Sequence, residues 1–248
     1  MLENYKFKYR SRGKFIFVPN ERCERKGYRI IEFFAKRVDF PDYFYHYKPG
    51  GHIAALHFHL KHQLFFKIDI QNFYYSIARM RVTRALRSWG YPGANTIAKW
   101  SCVANPHKPP VPRHVLPIGF VQSPLLASLV LMKSPVSQAI ERAIKNGVFV
   151  SVYLDDFIGS HDDPIILEAA YNDIRETCAT CGLIPNPKKL IPPSKAIEAF
   201  NCDLRFGSAL LQQERIDSYL SKPDRTALGD ASFEQYKQRV ERANIPST

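Results

Sequence analysis

The chain has 248 residues, 45% of them hydrophobic, enough apolar content for one large domain or two small ones. Its formal net charge of +12 favours a polyanionic partner, nucleic acid above all. No apolar run reaches the roughly 20 residues of a membrane span, and Met1 to Lys14 is too polar and basic for a secretory signal, so no membrane partner is expected.

From Met1 to Arg37 there are eleven Lys or Arg against four Glu, so this segment carries +7 of the +12. YKFKYR, SRG and KFIFVP read as a β-hairpin with a glycine-containing turn. Lys6, Lys8 and Arg10 alternate with aromatics, which makes one hairpin face cationic. Ile30, Ile31, Phe34 and Val38 recur near helical spacing, so 22–38 is an amphipathic helix. Residues 41–52 read as an aromatic loop, and 52–61 as helix. Five of the eight histidines fall at 46, 52, 57, 59 and 62. With no cysteine or carboxylate among them, they read as packing or template-contact residues rather than zinc ligands.

LFFKIDIQNFYYSI, residues 64–77, is an apolar strand carrying one acid, Asp69. RMRVTRALRSWG is a short basic helix closed by Gly90. Residues 91–115, with prolines at 106, 109, 110 and 112, read as a stiff loop without an element of its own. Gln122-Ser123-Pro124 opens a helix to about Gly147, bent at Pro135. VSVYLDDFIGS, residues 150–160, reads as two strands with Asp155 and Asp156 at the hairpin tip. A helix follows at 164–181, then GLIPNPKKL with Lys188 and Lys189, then helices at 213–221 and 232–243. Five cysteines, an odd number, suggest reduced thiols in a cytosol; Cys178 and Cys181 read as helix-end packing.

An acidic pair in an apolar setting is costly unless a cation sits against it. Mg²⁺, which takes carboxylate oxygens, is the natural candidate. If the strands of Asp69 and Asp155 are neighbours, these acids can share two ions about 3.5–4 Å apart, the arrangement for nucleotidyl transfer. The plain alternative is an ordinary Asp-Asp turn.

Tyr153-Leu154-Asp155-Asp156 resembles the YxDD box of reverse transcriptases, and Asp69 with Phe73-Tyr74 resembles their first palm motif. LPIGFVQSPLLASLVL (116–131) is similar to their LPQG…SPxLxN segment, and GLIPNPKKL (182–190) to their lysine motif. Phe200 to Leu204 sits where that family has its primer-grip hairpin. The five boxes keep the family's order, and the resemblance covers roughly 5–206.

The resemblance implies an α/β (α+β) right-hand polymerase. Fingers are expected at 1–65 and 78–115, palm at 66–77 and 116–206, and a short helical thumb at 207–248. It implies an RNA-directed DNA polymerase using two Mg²⁺ ions, or Mn²⁺ in their place. Asp69, Asp155 and Asp156 would be the catalytic metal ligands. Lys189 would protonate the pyrophosphate, and the adjacent Lys188 would bring its pKa towards working pH. Lys8, Arg10 and Lys14 would grip the triphosphate, with Lys14 at the family's arginine position. Tyr74, five residues after Asp69, matches the steric gate against a 2′ hydroxyl. Ile118 and Gly119 would lie beside the incoming nucleotide; Ile118 stands where the family has glutamine, which removes the usual hydrogen bonds there. Tyr153 and Phe200 would contact primer or template.

The implied partners are an RNA template or non-coding RNA, the DNA product and dNTP. A short, weakly basic tail adds a homo-oligomer or an accessory protein to that expectation. Ile53-Ala54-Ala55-Leu56-His57 departs from the retron Asn-Ala-x-x-His signature, and the retron Val-Thr-Gly is absent. That disfavours a retron; setting and size instead resemble the stand-alone bacterial reverse transcriptases of anti-phage defence, of the abortive-infection or unknown-group kinds, and a cytoplasmic location is expected. A non-templated or protein-primed polymerase on the same fold, and an RNA-binding pseudo-enzyme, are the alternatives.

Overall fold

The computed structural model describes residues 3–107 and 111–245. The basic, aromatic start of the chain forms the expected hairpin, β1 (Tyr5–Ser11) paired antiparallel with β2 (Lys14–Pro19). Arg12 and Gly13 make its two-residue turn, both at positive φ (47° and 77°), which matches the twist of the flanking strands. α1 (Glu21–Ala35) begins on Asn20, whose side chain accepts from the Cys23 amide at 2.9 Å. It buries one stripe: Cys23, Gly27, Ile30 and Phe34. α2 (Gly51–His59), β3 (Leu64–Asp69), α3 (Phe73–Ser76) and α4 (Arg79–Ser88) follow.

Residues 91–115 are not a featureless loop. They hold α5 (Ala94–Ser101), β4 (Val103–Ala104) and β5 (His114–Val115). Burial of Ala94, Ala98 and Ser101 on one face, with Trp100 buried beside it, outweighs the proline density, which belongs to the β4–β5 connection. Pro109 and Pro110 of that connection lie outside the described residues. The long helix expected from Ser123 is two helices, α6 (Ser123–Met132) and α7 (Pro135–Lys145). Proline cannot donate to the preceding turn, so it ends α6 and opens α7. The Ser134 hydroxyl donates to the Leu131 carbonyl at 2.7 Å, taking up one of α6's terminal acceptors.

β6 (Phe149–Tyr153) and β7 (Asp156–His161) form the second hairpin, and α8 (Pro164–Thr180) follows it. Short strands come next: β8 (Ile191–Ser194), β9 (Ala196–Ala199), β10 (Cys202–Arg205) and β11 (Ser208–Leu211). The chain then runs through α9 (Gln213–Leu220) and α10 (Ala227–Glu241). α10 starts five residues earlier than expected, because the Thr226 side chain accepts from the Gly229 amide at 3.1 Å and caps it.

The chain divides into two units. The first comprises Met1–Phe40, Ile70–Gln138 and Thr177–Ile184. Its core joins Phe17, Cys23, Tyr75, Trp100, Val103, Val115 and Phe120, with Phe15 and Ile118 packed against it. α6 is apolar on every side and buried from Leu125 to Leu131. The Asn4 side chain ties the chain's start to this unit, donating to the Trp100 and Cys102 carbonyls at 2.9 and 2.7 Å.

The second unit comprises Pro41–Asp69, Ala139–Glu176 and Pro185–Thr248. It contains a four-stranded antiparallel sheet in the order β6-β7-β3-β8 and a three-stranded sheet β11-β10-β9. On one side of the larger sheet, Phe66 meets Tyr171 of α8 with ring centroids 5.5 Å apart. On the other side, Phe65 and Ile158 join Ile53, Leu56 and Leu60 of α2 and its C-cap, with Leu204 and Val240 completing the core.

His59 is wholly buried in this second core, between the Ser160 hydroxyl (2.7 Å) and the Ser151 hydroxyl (2.8 Å). A neutral ring donates at one nitrogen and accepts at the other, which suits two hydroxyls. Burial pushes its pKa down from 6.5 to about 3. Between those values the unfolded chain binds a proton that the folded chain refuses, so stability rises with pH and falls on acidification. The limiting slope is about 1.4 kcal/mol per pH unit. Urea midpoints at pH 7 and 5 should differ accordingly. His59→Gln should be less stable at pH 7 yet show a shallower slope; an unchanged slope would contradict this account.

Candidate active site

Register decides what shares a face. β3 and β7 place Asp69 opposite Asp156, Lys67 opposite Ile158 and Phe65 opposite Ser160; β6 adds Tyr153 opposite Asp156. Residues directly opposite on antiparallel strands project to the same side. One face of the sheet therefore carries Asp69, Asp156 and Tyr153 in its end row, with Lys67, Ile158 and Ser151 in the next.

The β6–β7 turn is Leu154-Asp155, so Asp155 stands at the hairpin tip as expected, whereas Asp156, expected there too, is the first residue of β7 and pairs with Tyr153. Leu154 has φ of 57°, a costly left-handed conformation for a branched side chain. Its amide donates to His46 Nδ1 in a long 3.4 Å contact. Burial lowers the His46 pKa to about 4, against a backbone hydrogen bond at Val152, and a neutral ring can accept.

The acids are matched by lysines. Asp69 is 4% exposed, and Lys189 Nζ lies 2.9 Å from its Oδ2. The Asn186 side chain donates to Asp69 Oδ1 at 3.2 Å, and the Asn186 amide donates to the Asp69 carbonyl at 2.8 Å. Lys67 Nζ lies 3.3 Å from Asp156 Oδ1, diagonally across the ladder. That contact is an ion pair without hydrogen-bond geometry, so the buried Oδ1 has no donor. Burial pushes the Asp156 carboxyl up, Lys67 opposes the shift and the Asp69 charge adds to it.

Lys189 moves the other way from the sequence expectation. Its hydrogen bond to Asp69 pushes its pKa up, with the charges of Asp69, Asp156 and Asp155 adding to that. Lys188 is exposed, and the nearby carboxylates outweigh it. Lys189 therefore holds its proton firmly.

This donor set suits a hard divalent cation: carboxylate oxygens side by side, one of them buried and unsatisfied. The cage is not preformed. Among the described residues no three His, Cys, Asp or Glu side chains already converge in coordinating geometry, and an ammonium stands on Asp69.

The other expected site residues distribute as follows. In the second unit, Phe200 and Asn201 (φ 55° and 60°) form the β9–β10 turn. The Phe200 ring lies 5.5 Å from Tyr153 and 5.7 Å from His52, so the two residues expected at primer or template come together. In the first unit, Ile118 bridges to Ile16, and the Phe17 amide donates to the Ile118 carbonyl at 2.9 Å. Gly119 has φ of 107°, and a Cβ there would overlap the Phe17 carbonyl, so no other residue fits. Tyr74 is half-buried on α3 beside Phe73. Lys8 and Arg10 both lie over the Phe15 ring at 5.2 Å. Lys14 pairs with Ser11 and so belongs to the opposite face of the hairpin; the three expected triphosphate contacts do not share one face.

Sequence reasoning missed Lys67, Asn186 and His46. Lys67 had a signal: two residues before Asp69 on a strand means the same face. Asn186, between two prolines, and His46, over a hundred residues from Leu154, had none.

Residues 23–191 match the family model for reverse transcriptase (RNA-dependent DNA polymerase). No curated protein sequence matches significantly. Among solved structures, the chain is similar to a foamy viral protease–reverse transcriptase in complex with double-stranded DNA. The identity is 18% over 91% of this chain and 33% of that one, with a TM-score of 0.50. It is also similar to telomerase from Candida albicans in complex with a fragment of telomeric RNA. There the identity is 9% over 87% of this chain and 40% of that one, with a TM-score of 0.50. The chain thus spans well under half the length of either. The shared fold is the mixed α/β fold of right-hand polymerases.

Proposed function

The chain belongs to the reverse transcriptase (RNA-dependent DNA polymerase) family, and on that premise we propose that it adds deoxynucleotides to a 3′ end on an RNA template. The observation that carries the reading is Asp69 opposite Asp156 on neighbouring strands, with Asp155 at the adjoining tip. When bound at these carboxylates, two divalent ions, Mg²⁺ or Mn²⁺, supply the charge that activates a 3′ hydroxyl and steadies the triphosphate. Asn186 and Lys189 fix the Asp69 carboxylate, and Lys67 offsets the charge of Asp156. Lys189 carries the proton that the resemblance gives to departing pyrophosphate, but its bond to Asp69 makes it a weaker acid, so that role requires the bond to be released first.

The remaining roles are assigned by resemblance. Fingers comprise 1–65 and 78–115, palm 66–77 and 116–206, and thumb 207–248. Lys8 and Arg10, which share a hairpin face, meet the triphosphate, while Lys14 faces the other way and is left out of that contact; Ile118 and Gly119 meet the nucleotide, and Tyr153 and Phe200 the primer or template. RNA, the DNA product and dNTP are the ligands; a second copy, an accessory protein or a folded non-coding RNA is proposed, on the weak basic charge of 207–248 and not on the resemblance, to complete the grip. No helix among the described residues is long and apolar enough to cross a membrane. The five cysteines are all free, which supports a reducing cytoplasm. The departure from the retron signature at Ile53 argues against a retron enzyme, and a role in anti-phage defence is proposed by analogy.

The test is primer extension on defined RNA and DNA templates with EDTA, Mg²⁺ or Mn²⁺. Extension on RNA that EDTA stops and either ion restores is the expected result. Light scattering before and after nuclease treatment reads the assembly; a stable monomer that extends processively alone would remove the added partner.

Tyr74 supplies a separate expectation. Tyr74→Ala should raise ribonucleotide use relative to deoxynucleotide by opening space at the 2′ position, read by competition between matched rNTP and dNTP. If Tyr74 only packs, the variant will lose stability and keep its selectivity.

A further inference from the structure

The β1–β2 hairpin has two unlike faces. Lys8, Arg10, Phe15 and Phe17 share one, where Phe17 is buried in the first unit's core and both cations lie over Phe15. Phe7, Tyr9, Ile16 and Val18 share the other, with Lys14 at its turn end. Phe7 and Tyr9 are 56% and 49% exposed, although large rings are the side chains with most to gain from burial. Their centroids are 6.3 Å apart with planes inclined by 40°.

We propose that this second face is a stacking platform for single-stranded nucleic acid, Phe7 and Tyr9 each taking one base. Aromatic residues two apart on a strand present rings to the same side, and sheet faces bearing such rings stack successive unpaired bases. The ring separation is nearly twice the 3.4 Å per-strand rise of a stacked duplex. The surface therefore suits bases splayed from one another and rejects paired ones. Charge completes the match. Lys14 and Arg12 are exposed at the turn, within the segment that carries +7 of the chain's charge, so a phosphate backbone passing the rings meets cations. A lone exposed aromatic needs no explanation, but here two stand side by side beside half-buried Ile16 and Val18.

The inference deepens the polymerase reading, and rests on it only in taking the bound strand to be the template. Binding itself is independent of catalysis and is measured without nucleotide or divalent ion. The probes are a labelled twelve-nucleotide single-stranded RNA, its DNA counterpart, and an abasic version of each, titrated with the full chain in fluorescence anisotropy. Phe7→Ala with Tyr9→Ala should weaken binding of the base-bearing strands about tenfold or more, since each stacked base is worth roughly five- to a hundredfold. Phe7→Trp with Tyr9→Trp should restore it, and the abasic strands should bind both proteins alike. RNA and DNA losing affinity equally would mark stacking alone, whereas a loss confined to RNA would add sugar recognition to the platform. Circular dichroism should be unchanged, because both side chains are exposed.

Equal affinity of wild type and the double alanine variant would overturn the proposal. So would an equal loss on abasic strands, which would place the effect at the sugar-phosphate backbone and not at the bases. Concentration-dependent self-association of the wild type that the alanines abolish, with strand binding unchanged, would assign the face to a second copy instead. Asp155→Asn protein should keep platform binding, so loss of polymerisation and loss of the platform are separately visible.

Discussion

Asp155→Asn combined with Asp156→Asn should abolish nucleotide incorporation while leaving RNA binding largely in place. The end row of the β3–β7 face and the adjoining tip hold three carboxylates against two lysines, a donor set for divalent ions, and charge developing on the transferring phosphate is where its removal acts. A loss of roughly a thousandfold or more is expected. Asp156 also offsets a nearly buried Lys67, whose side chain is 12% exposed, so its change alone leaves an ammonium without its partner. Asp155→Asn by itself leaves that pair intact and should still remove most activity. Single-turnover incorporation, read beside urea unfolding of each variant, separates the two effects. Near-wild-type incorporation by a folded double variant would refute the assignment.

Gly119→Ala should cost stability as well as activity. Its φ of 107° is strained for any side chain, and an added Cβ meets the Phe17 carbonyl, which is backbone of β2 and cannot swing aside. Strain of roughly 1–3 kcal/mol and overpacking of a similar size point to about 2–6 kcal/mol in all. The Ile118 segment should also detach from β2, since the bond from the Phe17 amide to the Ile118 carbonyl cannot keep its 2.9 Å length. Urea unfolding measures the first effect, and the KM for dNTP the second. A change within about 0.5 kcal/mol, the size of an ordinary surface substitution, would contradict the close approach.

Much of this was legible in the chain. The apolar runs around Asp69 and around Asp155 name two strands, and period-two alternation then fixes which side chains face together. Their adjacency was a conjecture from chemistry, two acids needing one cation, and the β3–β7 register supplies it. The hairpin at Tyr5 was readable because alternation and a glycine turn agree. Residues 91–115 were misread because proline outweighed the buried stripe of Ala94, Ala98 and Ser101, a stripe too short to stand out. Lys189 was misread for a different reason. Its neighbour in sequence, Lys188, is plain to see, but its neighbour in space, Asp69, is 120 positions away and sets its protonation. Local pattern shows elements and faces, while electrostatics depends on pairs that only the fold brings together.

The most direct measurement is single-nucleotide addition by the purified chain to a DNA primer annealed on an RNA template, with each dNTP supplied alone in Mg²⁺. The account requires that only the dNTP complementary to the next template base is added, and that Asp155→Asn removes the addition. No incorporation with Mg²⁺ or Mn²⁺, or equal addition of all four nucleotides, would contradict it.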